Sequence, residues 1–445
     1  MNRRSFVKST ALGGASLAAF HLPTGAHTPD ESETLAAELP VAQLTKGAYQ
    51  HWFGYYDKLQ VDPTGRFVLG CQVDSFYRSP TPTDQIRIGL IDLESNSRWT
   101  EIGKSSSWGW QQGCMLQWIP GSREQIIWND YSNDQFISKI FNSKTESLVE
   151  IPMPIYTLSS DGTFALSVNF ARLQFFRPGY GYASRVPNST WPKAPADDGI
   201  FKVDLVTGAT QLILSLEEIA EIARPQGSVT ANFHWFNHLL ISPDDKRFIF
   251  LNRSRPVANL ADMDEYLRAN PVAKDNKFSS RYVTRAMTAT CDGSAVYPLV
   301  DSGMFSHFIW NGPQKICAWA VPNGGSTPAF FDFRDQSQEY AEVGAGVMTR
   351  NGHNTYVPNT NYEWILNDTY PQGKERLQEL YLYHVPTKRK VTLGKFHSPT
   401  AFRGEWRCDL HPRCDQQGHR VYFDSTHQDG RRQIYSVDIR DIVTS

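Results

Sequence analysis

Short apolar runs, each closed by a tight turn of Pro, Asp, Asn or Gly and answered by a second apolar run, recur along the whole chain. Seven copies align on their turns: "KLQVDPTGRFVLGCQV", "MLQWIPGSREQIIWND", "IYTLSSDGTFALSVNF", "HLLISPDDKRFIFLNR", "HFIWNGPQKICAWAV", "HNTYVPNTNYEWILND" and "HPRCDQQGHRVYFDS". This is a β-hairpin signature. Between copies lies a second strand–turn–strand pattern, as in "IGLIDLESNSRWTEI", "GIFKVDLVTGATQLIL", "PAFFDFRDQSQEYAEV" and "LYLYHVPTKRKVTL". Two hairpins per unit make four strands per unit. The pattern therefore predicts an all-β chain, a seven-bladed β-propeller of four-stranded antiparallel blades, in which radial repetition protects the sheet edges. A parallel sheet would need helical crossovers, and only "LEEIAEIAR" and "LADMDEYLRA" show a helical period. Both sit near the fourth unit and read as loop insertions.

The last unit ends after "QIYSVDIRDIVTS", one strand short of a blade. The stretch "PVAQLTKGAY" is expected to supply that strand and close the ring, so the propeller is assigned to residues 41–445, with residues 27–40 as a linker. Residues 1–26 read as a twin-arginine export signal: Arg3 and Arg4 precede a short run rich in Ala and Gly, with cleavage expected near Ala26. A periplasmic or secreted protein is expected. No other segment is long and apolar enough to cross a bilayer.

Composition narrows the function. Charged residues make up 20% of the 445 and the formal net charge is −2, so the basic face a nucleic-acid binder needs is missing. Six cysteines are too few for a disulfide scaffold in a chain of this length. Cys408 and Cys414, in "CDLHPRC", either pack in the core, pair with each other, or flank His411 as metal ligands. A monomer is expected.

The seven aligned hairpins start at Lys58, Met115, Ile155, His238, His307, His353 and His411. In a propeller that position falls near the start of the inner strand, facing the central channel. Four consecutive blades thus offer an imidazole at similar depth. Converging neutral imidazoles are what a divalent metal ion such as zinc or manganese needs, and a cofactor of this kind (calcium being the third candidate) is expected at His238, His307, His353 and His411. The plainer alternative is that each histidine bonds to neighbouring backbone. The insertion "RLQFFRPGYGYASRVPNSTWPKAPADDG" is too long for a propeller turn, and long loops on rigid scaffolds tend to carry function. It is dense in aromatics and arginines: Phe175, Phe176, Arg177, Tyr180, Tyr182 and Trp191. Aromatic faces stack on sugar rings and guanidinium groups meet carboxylates or sulfates, so an anionic polysaccharide or oligosaccharide is the expected ligand.

The "SPDD" hairpin, the opening "HWFGYYDK" and the closing "CDLHPRCDQQGHRVYFDSTH" followed by "RQIYSVDI" together resemble a group of seven-bladed propeller enzymes. The group comprises oligogalacturonate lyases, the ulvan lyases of polysaccharide lyase families 24 and 25, and related lyases and a rhamnosidase acting on rhamnose–glucuronate linkages. The resemblance implies β-elimination beside a uronic acid: a base takes the C5 proton, an acid protonates the departing oxygen, and cationic groups neutralise the carboxylate. It also implies a metal near the propeller axis. By the same resemblance Tyr156 is the candidate acid or proton shuttle and Arg172 the candidate carboxylate clamp, both on a third-blade hairpin running from Tyr156 to Arg172. Where the lyases carry a histidine base this chain has Gln111 and Gln112, which bind substrate at most, since glutamine takes no proton at neutral pH. His51, in "QHWFGYYDK", matches the lone histidine of the rhamnosidase and makes a rhamnose hydrolase the alternative activity. A non-catalytic glycan-binding propeller is the third.

Overall fold

The computed structural model describes residues 35–36, 39–74, 76–184, 191–224, 227–263 and 282–444. Residues 1–26, expected to be an export signal, lie outside them. Seven separate sheets follow one another along the chain, and in each the four propeller strands are antiparallel to their neighbours. This is the seven-bladed β-propeller that the hairpin repeat predicts. All the described residues belong to one compact unit, Glu33–Ser445.

The innermost strands run, blade by blade, at Gln50–Trp52, Gln117–Trp118, Thr157–Leu158, Phe233–Ile241, Phe305–Asn311, Thr355–Tyr356 and Arg413–Cys414. The second strands are covered on both faces because each blade is packed between two others. In blade 4, Arg247–Arg255 is buried at every position, the reading expected of a strand covered on both sides. The outer strands turn polar, as in Tyr340–Glu342 of blade 5, which is exposed throughout.

Ring closure comes from the predicted segment. Ala42–Gln43 pairs antiparallel with Gln433–Asp438 of blade 7, in the register Ala42↔Ser436 and Gln43↔Tyr435. The next residue, Leu44, gives its backbone N–H to Ile434 O at 2.9 Å and buries its side chain with Val61, Val68, Ile91, Tyr422 and Ile434. The first and last parts of the chain are thereby joined in one sheet. Within the stretch expected to be linker, Leu35–Ala36 adds a fifth, parallel strand to the edge of blade 6.

Two helical expectations resolve differently. "LEEIAEIAR" forms a helix at Leu216–Glu221, started by a capping box between Ser215 and Glu218. Of "LADMDEYLRA", the described part is a single 3-10 turn, Leu260–Asp262. A helix the pattern did not signal, Phe170–Phe176, opens the long insertion, with Asn169 accepting the Arg172 backbone N–H as its cap. The third-blade hairpin therefore ends at Val168 rather than at Arg172, because Asn169 offers its side chain to the helix instead of continuing the ladder.

Replacing Leu44 by Ala removes a buried side chain at the seam between the chain ends. A loss of about 2–5 kcal/mol is expected, as for other buried leucines, read as a lower midpoint in urea unfolding. An equivalent change at exposed Val206 should leave the midpoint in place.

Candidate functional site

After the inner strand of blade 1 the chain bends into the propeller axis at Gly54. Its φ is +141°, and a Cβ there would lie 2.9 Å from Gln112 O, so a side chain has no room. The next four residues, Tyr55, Tyr56, Asp57 and Lys58, pack among the aligned histidines. The Tyr55 ring stands edge-on to His238 and His411, both at 5.0 Å between centroids, and to His353 at 5.9 Å. Tyr56 meets His238, His353 and His307 at 5.7, 5.3 and 6.2 Å. Its hydroxyl enters the bulge of the blade 5 inner strand, donating to Phe308 O at 2.8 Å and accepting the Phe308 N–H at 2.9 Å. Asp57 Oδ2 accepts from Lys58 Nζ at 2.8 Å and lies 3.5 Å from His238 Nε2. Burial by itself would raise the Asp57 carboxyl, but the Lys58 ammonium, and after it His238, bring it down to about 2.

The aligned histidines do reach the axis, and the backbone shows how. Met115, His238 and His411 share one register position and all are left-handed, with φ of 57°, 50° and 43°. Such a residue in a bulge turns its side chain out of the strand alternation. The four imidazoles then divide. His353 Nδ1 is braced by both Asp368 oxygens at 3.0 Å, and Asp368 Oδ2 also accepts the His411 backbone N–H at 3.2 Å. His353, His411 and Asp409 offer ligand atoms within 4.8 Å of one another. His353 Nε2, His411 Nε2 and Asp409 Oδ1 are buried and make no hydrogen bond within the protein. Two imidazole nitrogens, a carboxylate and a carboxylate–histidine brace behind one of them form a donor set suited to a divalent cation. His411 is held neutral by burial first and then by His353 and Arg413, which keeps its lone pair free. Among the described residues, His238 and His307 fall outside this group. His307 Nδ1 faces Asn351 Oδ1 at 3.0 Å and its Nε2 faces Tyr370 Oη at 3.3 Å. His238 faces Asp57.

Beside this axis opens a cavity of about 810 Å³, floored by Tyr55, His238, His307 and Tyr370. Arg177, Arg253, Arg255 and Arg407 line it together with Tyr180 and Tyr282. Arg407 Nη2 donates to Tyr180 Oη at 2.8 Å, and its Nε sits 2.7 Å from Asp409 Oδ2, which ties the arginine cluster to the cation-ligand group. Arg253 Nε and Nη1 and Arg177 Nε are buried without a hydrogen-bond partner. Burial would raise both phenols, yet Arg407 and Arg177 lower Tyr180, and Arg177, Arg253, Arg255 and Arg407 bring Tyr282 to about 8. The chamber is therefore strongly cation-rich and built to receive negative charge.

The other predicted residues take supporting places. From the insertion, Phe175, Phe176, Arg177 and Tyr180 line the chamber, as expected of that loop. Tyr182 does not; it stacks on Phe170 at 4.3 Å, and its hydroxyl accepts from Asn129. Trp191 lines a separate cavity. Arg172 is turned into the protein, its guanidinium spent on the carbonyls of His234, Pro192 and Lys193 at 2.6–2.8 Å. Burial lowers it to about 10, with Asp198 opposing. Its geometry is that of a brace for the insertion. Tyr156 Oη accepts the His238 backbone N–H at 2.8 Å and donates to Gln112 Oε1 at 3.0 Å. Gln111 Nε2 donates to Glu405 O and Arg407 O at 2.8 and 3.0 Å, fastening the loop that carries Arg407. His51 lines a different cavity of about 320 Å³, its ring nitrogens 2.8 Å from Gln433 Oε1 and from Gln72 Nε2, and burial lowers it to about 4. Cys408 and Cys414 are free thiols, and His411 turns to Asp409 rather than to them.

The repeat pattern does not single out Tyr55, Asp57, Arg253, Tyr282, Tyr370, Arg407 or Asp409. The run "YYDK" is a usable signal, since two phenols and an acid leading directly into the repeat position held by Lys58 are costly to bury without a role. Arg253 and Asp409 had none, because neither stands at the aligned position.

The chain is thus a seven-bladed propeller with a cation-rich chamber beside its axis. No protein-family model matches the sequence, and no curated protein matches it. Among solved structures it is similar to the oligogalacturonate lyase of Vibrio parahaemolyticus, at 15% identity over 91% of this chain and 95% of that one, with a TM-score of 0.59. It is similar also to an oligogalacturonate lyase in complex with manganese, at 13% identity, 92% and 96% coverage and a TM-score of 0.60. The tricorn protease aligns over 89% of this chain and 35% of its own, at 9% identity and a TM-score of 0.50. At such identities the likeness speaks for the fold. Among the described residues, no helix is long and apolar enough to cross a membrane.

A phenol brought to about pH 8 by four arginines has a measurable consequence. An ultraviolet pH titration should show one tyrosine ionising near pH 8, and Tyr282→Phe should abolish that step. Because the folded state lowers this group, its ionisation adds stability as pH rises from about 8 towards the ordinary phenol value of about 10 and adds none below 8.

Proposed function

We propose that the protein is a polysaccharide lyase that cleaves a uronic-acid-containing glycan by β-elimination, on galacturonate oligomers or on rhamnose–glucuronate polymers such as ulvan. The observation that carries this reading is the pairing, in one chamber, of arginine nitrogens that lack protein partners with imidazoles kept neutral by burial. Guanidinium groups at Arg177 and Arg253 would take the uronate carboxylate and withdraw its charge, which makes the C5 proton acidic. A neutral histidine of the floor accepts that proton. The electron pair of the C5–H bond forms the C4=C5 double bond as the C4–O4 bond breaks, and the departing oxygen takes a proton from Tyr370. Burial first, and then Asp409, holds Tyr370 well above the ordinary phenol range, so it arrives protonated. His307 Nε2, 3.3 Å away, orients that hydroxyl; after the product leaves, the imidazolium gives its proton to solvent and the phenolate takes one from solvent, which restores both groups. A divalent cation held by His353, His411 and Asp409 would supply additional positive charge beside the chamber. The fold likeness to oligogalacturonate lyases, one of them a manganese complex, supports both parts of the reading.

Purified protein incubated with polygalacturonate, galacturonate oligomers and ulvan should generate the ultraviolet band of a 4,5-unsaturated uronate on at least one of them. Arg253→Ala should lower kcat/KM on that substrate by about 10²-fold or more. Tight glycan binding with neither that band nor new reducing ends would overturn the lyase reading in favour of a binding propeller.

Manganese binding, followed by calorimetry on metal-stripped protein, tests the ligand group separately. Asp368→Asn removes the brace behind His353 and should weaken the ion by about 10- to 100-fold, as such outer partners do elsewhere.

A further inference from the structure

Four consecutive residues, Tyr55 to Lys58, all bear on one imidazole. Tyr55 packs edge-on against the His238 ring at 5.0 Å. Tyr56 pins the backbone of Phe308 through both its N–H and its carbonyl, and the Phe308 ring stacks on His238 at 3.9 Å. Asp57 Oδ2 stands 3.5 Å from His238 Nε2, and Lys58 holds the same oxygen at 2.8 Å while its ammonium lies over the Tyr156 ring. Tyr156 in turn receives the His238 backbone N–H, at a residue whose φ of 50° is itself a strained choice. Packing alone does not call for this. A buried aspartate–lysine pair is expensive to desolvate.

The two ring nitrogens of His238 are not equivalent. Nε2 is fully buried, lacks a hydrogen-bond partner and faces Asp57. The ring lines the chamber. A carboxylate opposite Nε2 favours the tautomer that carries its proton there, which leaves the Nδ1 lone pair for the chamber.

We propose that Asp57 is a positioning residue that fixes His238 in the Nε2–H tautomer and so makes His238 Nδ1 the acceptor of the substrate proton. Lys58 keeps the aspartate charged and aimed, and the axial aromatics stop the ring from turning over. At 3.5 Å the Asp57–His238 contact is longer than a hydrogen bond; it closes as the ring gains its proton, when attraction between the two groups becomes ionic. This inference rests on the lyase reading for the identity of the proton, but not for the tautomer.

The test has two readouts. In protein labelled with ¹⁵N-histidine, the His238 signals, assigned by their loss in His238→Gln, should report the Nε2–H tautomer in the wild type. Asp57→Asn should shift them to a mixture or to the other tautomer. Because Asp57→Asn leaves Lys58 buried without its partner, the double variant Asp57→Asn with Lys58→Met is measured alongside and should behave in the same way. On the substrate that shows the unsaturated product, kcat should fall by about 10²- to 10⁴-fold in both variants with KM within about twofold, the pattern of an interaction used in the transition state. A tautomer that ignores Asp57 in a protein that cleaves uronides overturns the dyad and leaves the lyase reading standing. A tautomer that follows Asp57 in a protein that cleaves no uronide supports the positioning role and overturns the lyase reading alone.

Discussion

Seven sheets set around one axis bring seven chain segments into a space with little room and little water, and polar groups placed there must find partners within the protein. That crowding governs the structure. The axial positions of blades 4 to 7 carry histidines, and each faces a different neighbour: Asp57 for His238, Asn351 and Tyr370 for His307, Asp368 for His353 and Asp409 for His411. Blades 1 to 3 place Lys58, Met115 and Ile155 at the same station. The result is an axis polar on one side, where a chamber opens, and packed on the other by Met115, Ile155 and Tyr156 in a continuous hydrophobic cluster.

Much of this was legible in the sequence. The turn-centred repeat exposed the blades because strand–turn–strand periodicity is a local property, and the missing last strand could be assigned because a ring has to close. Alignment of the histidines also survived folding, since repeat register fixes depth along the axis. Register does not fix azimuth or partner. His353 and His411 converge with Asp409, whereas His238 and His307 turn towards groups from elsewhere in the chain. The partners come from long-range neighbours that no local pattern announces.

The arginines show the same limit. Arg172 and Arg177 stand five positions apart in one aromatic-rich insertion and look interchangeable as carboxylate clamps. A short helix, Phe170–Phe176, separates them: Arg172 points inward to three carbonyls, while Arg177, at the helix end, reaches the chamber. A single cap residue, Asn169, decides which guanidinium meets solvent-borne charge and which is consumed by the scaffold.

The seam at Ala42–Gln43 also sets an order of events. Its partners, Ser436 and Tyr435, are almost a full chain length away, and contacts that distant are slow to form. The segment from Tyr55 to Lys58 follows directly on that seam through the first strand of blade 1. Blades can gather from local hairpins, but the chamber floor is complete only when the two ends of the chain have met. The state of the chamber is accordingly a sensor of ring closure, because its floor keeps its shape only while the seam holds.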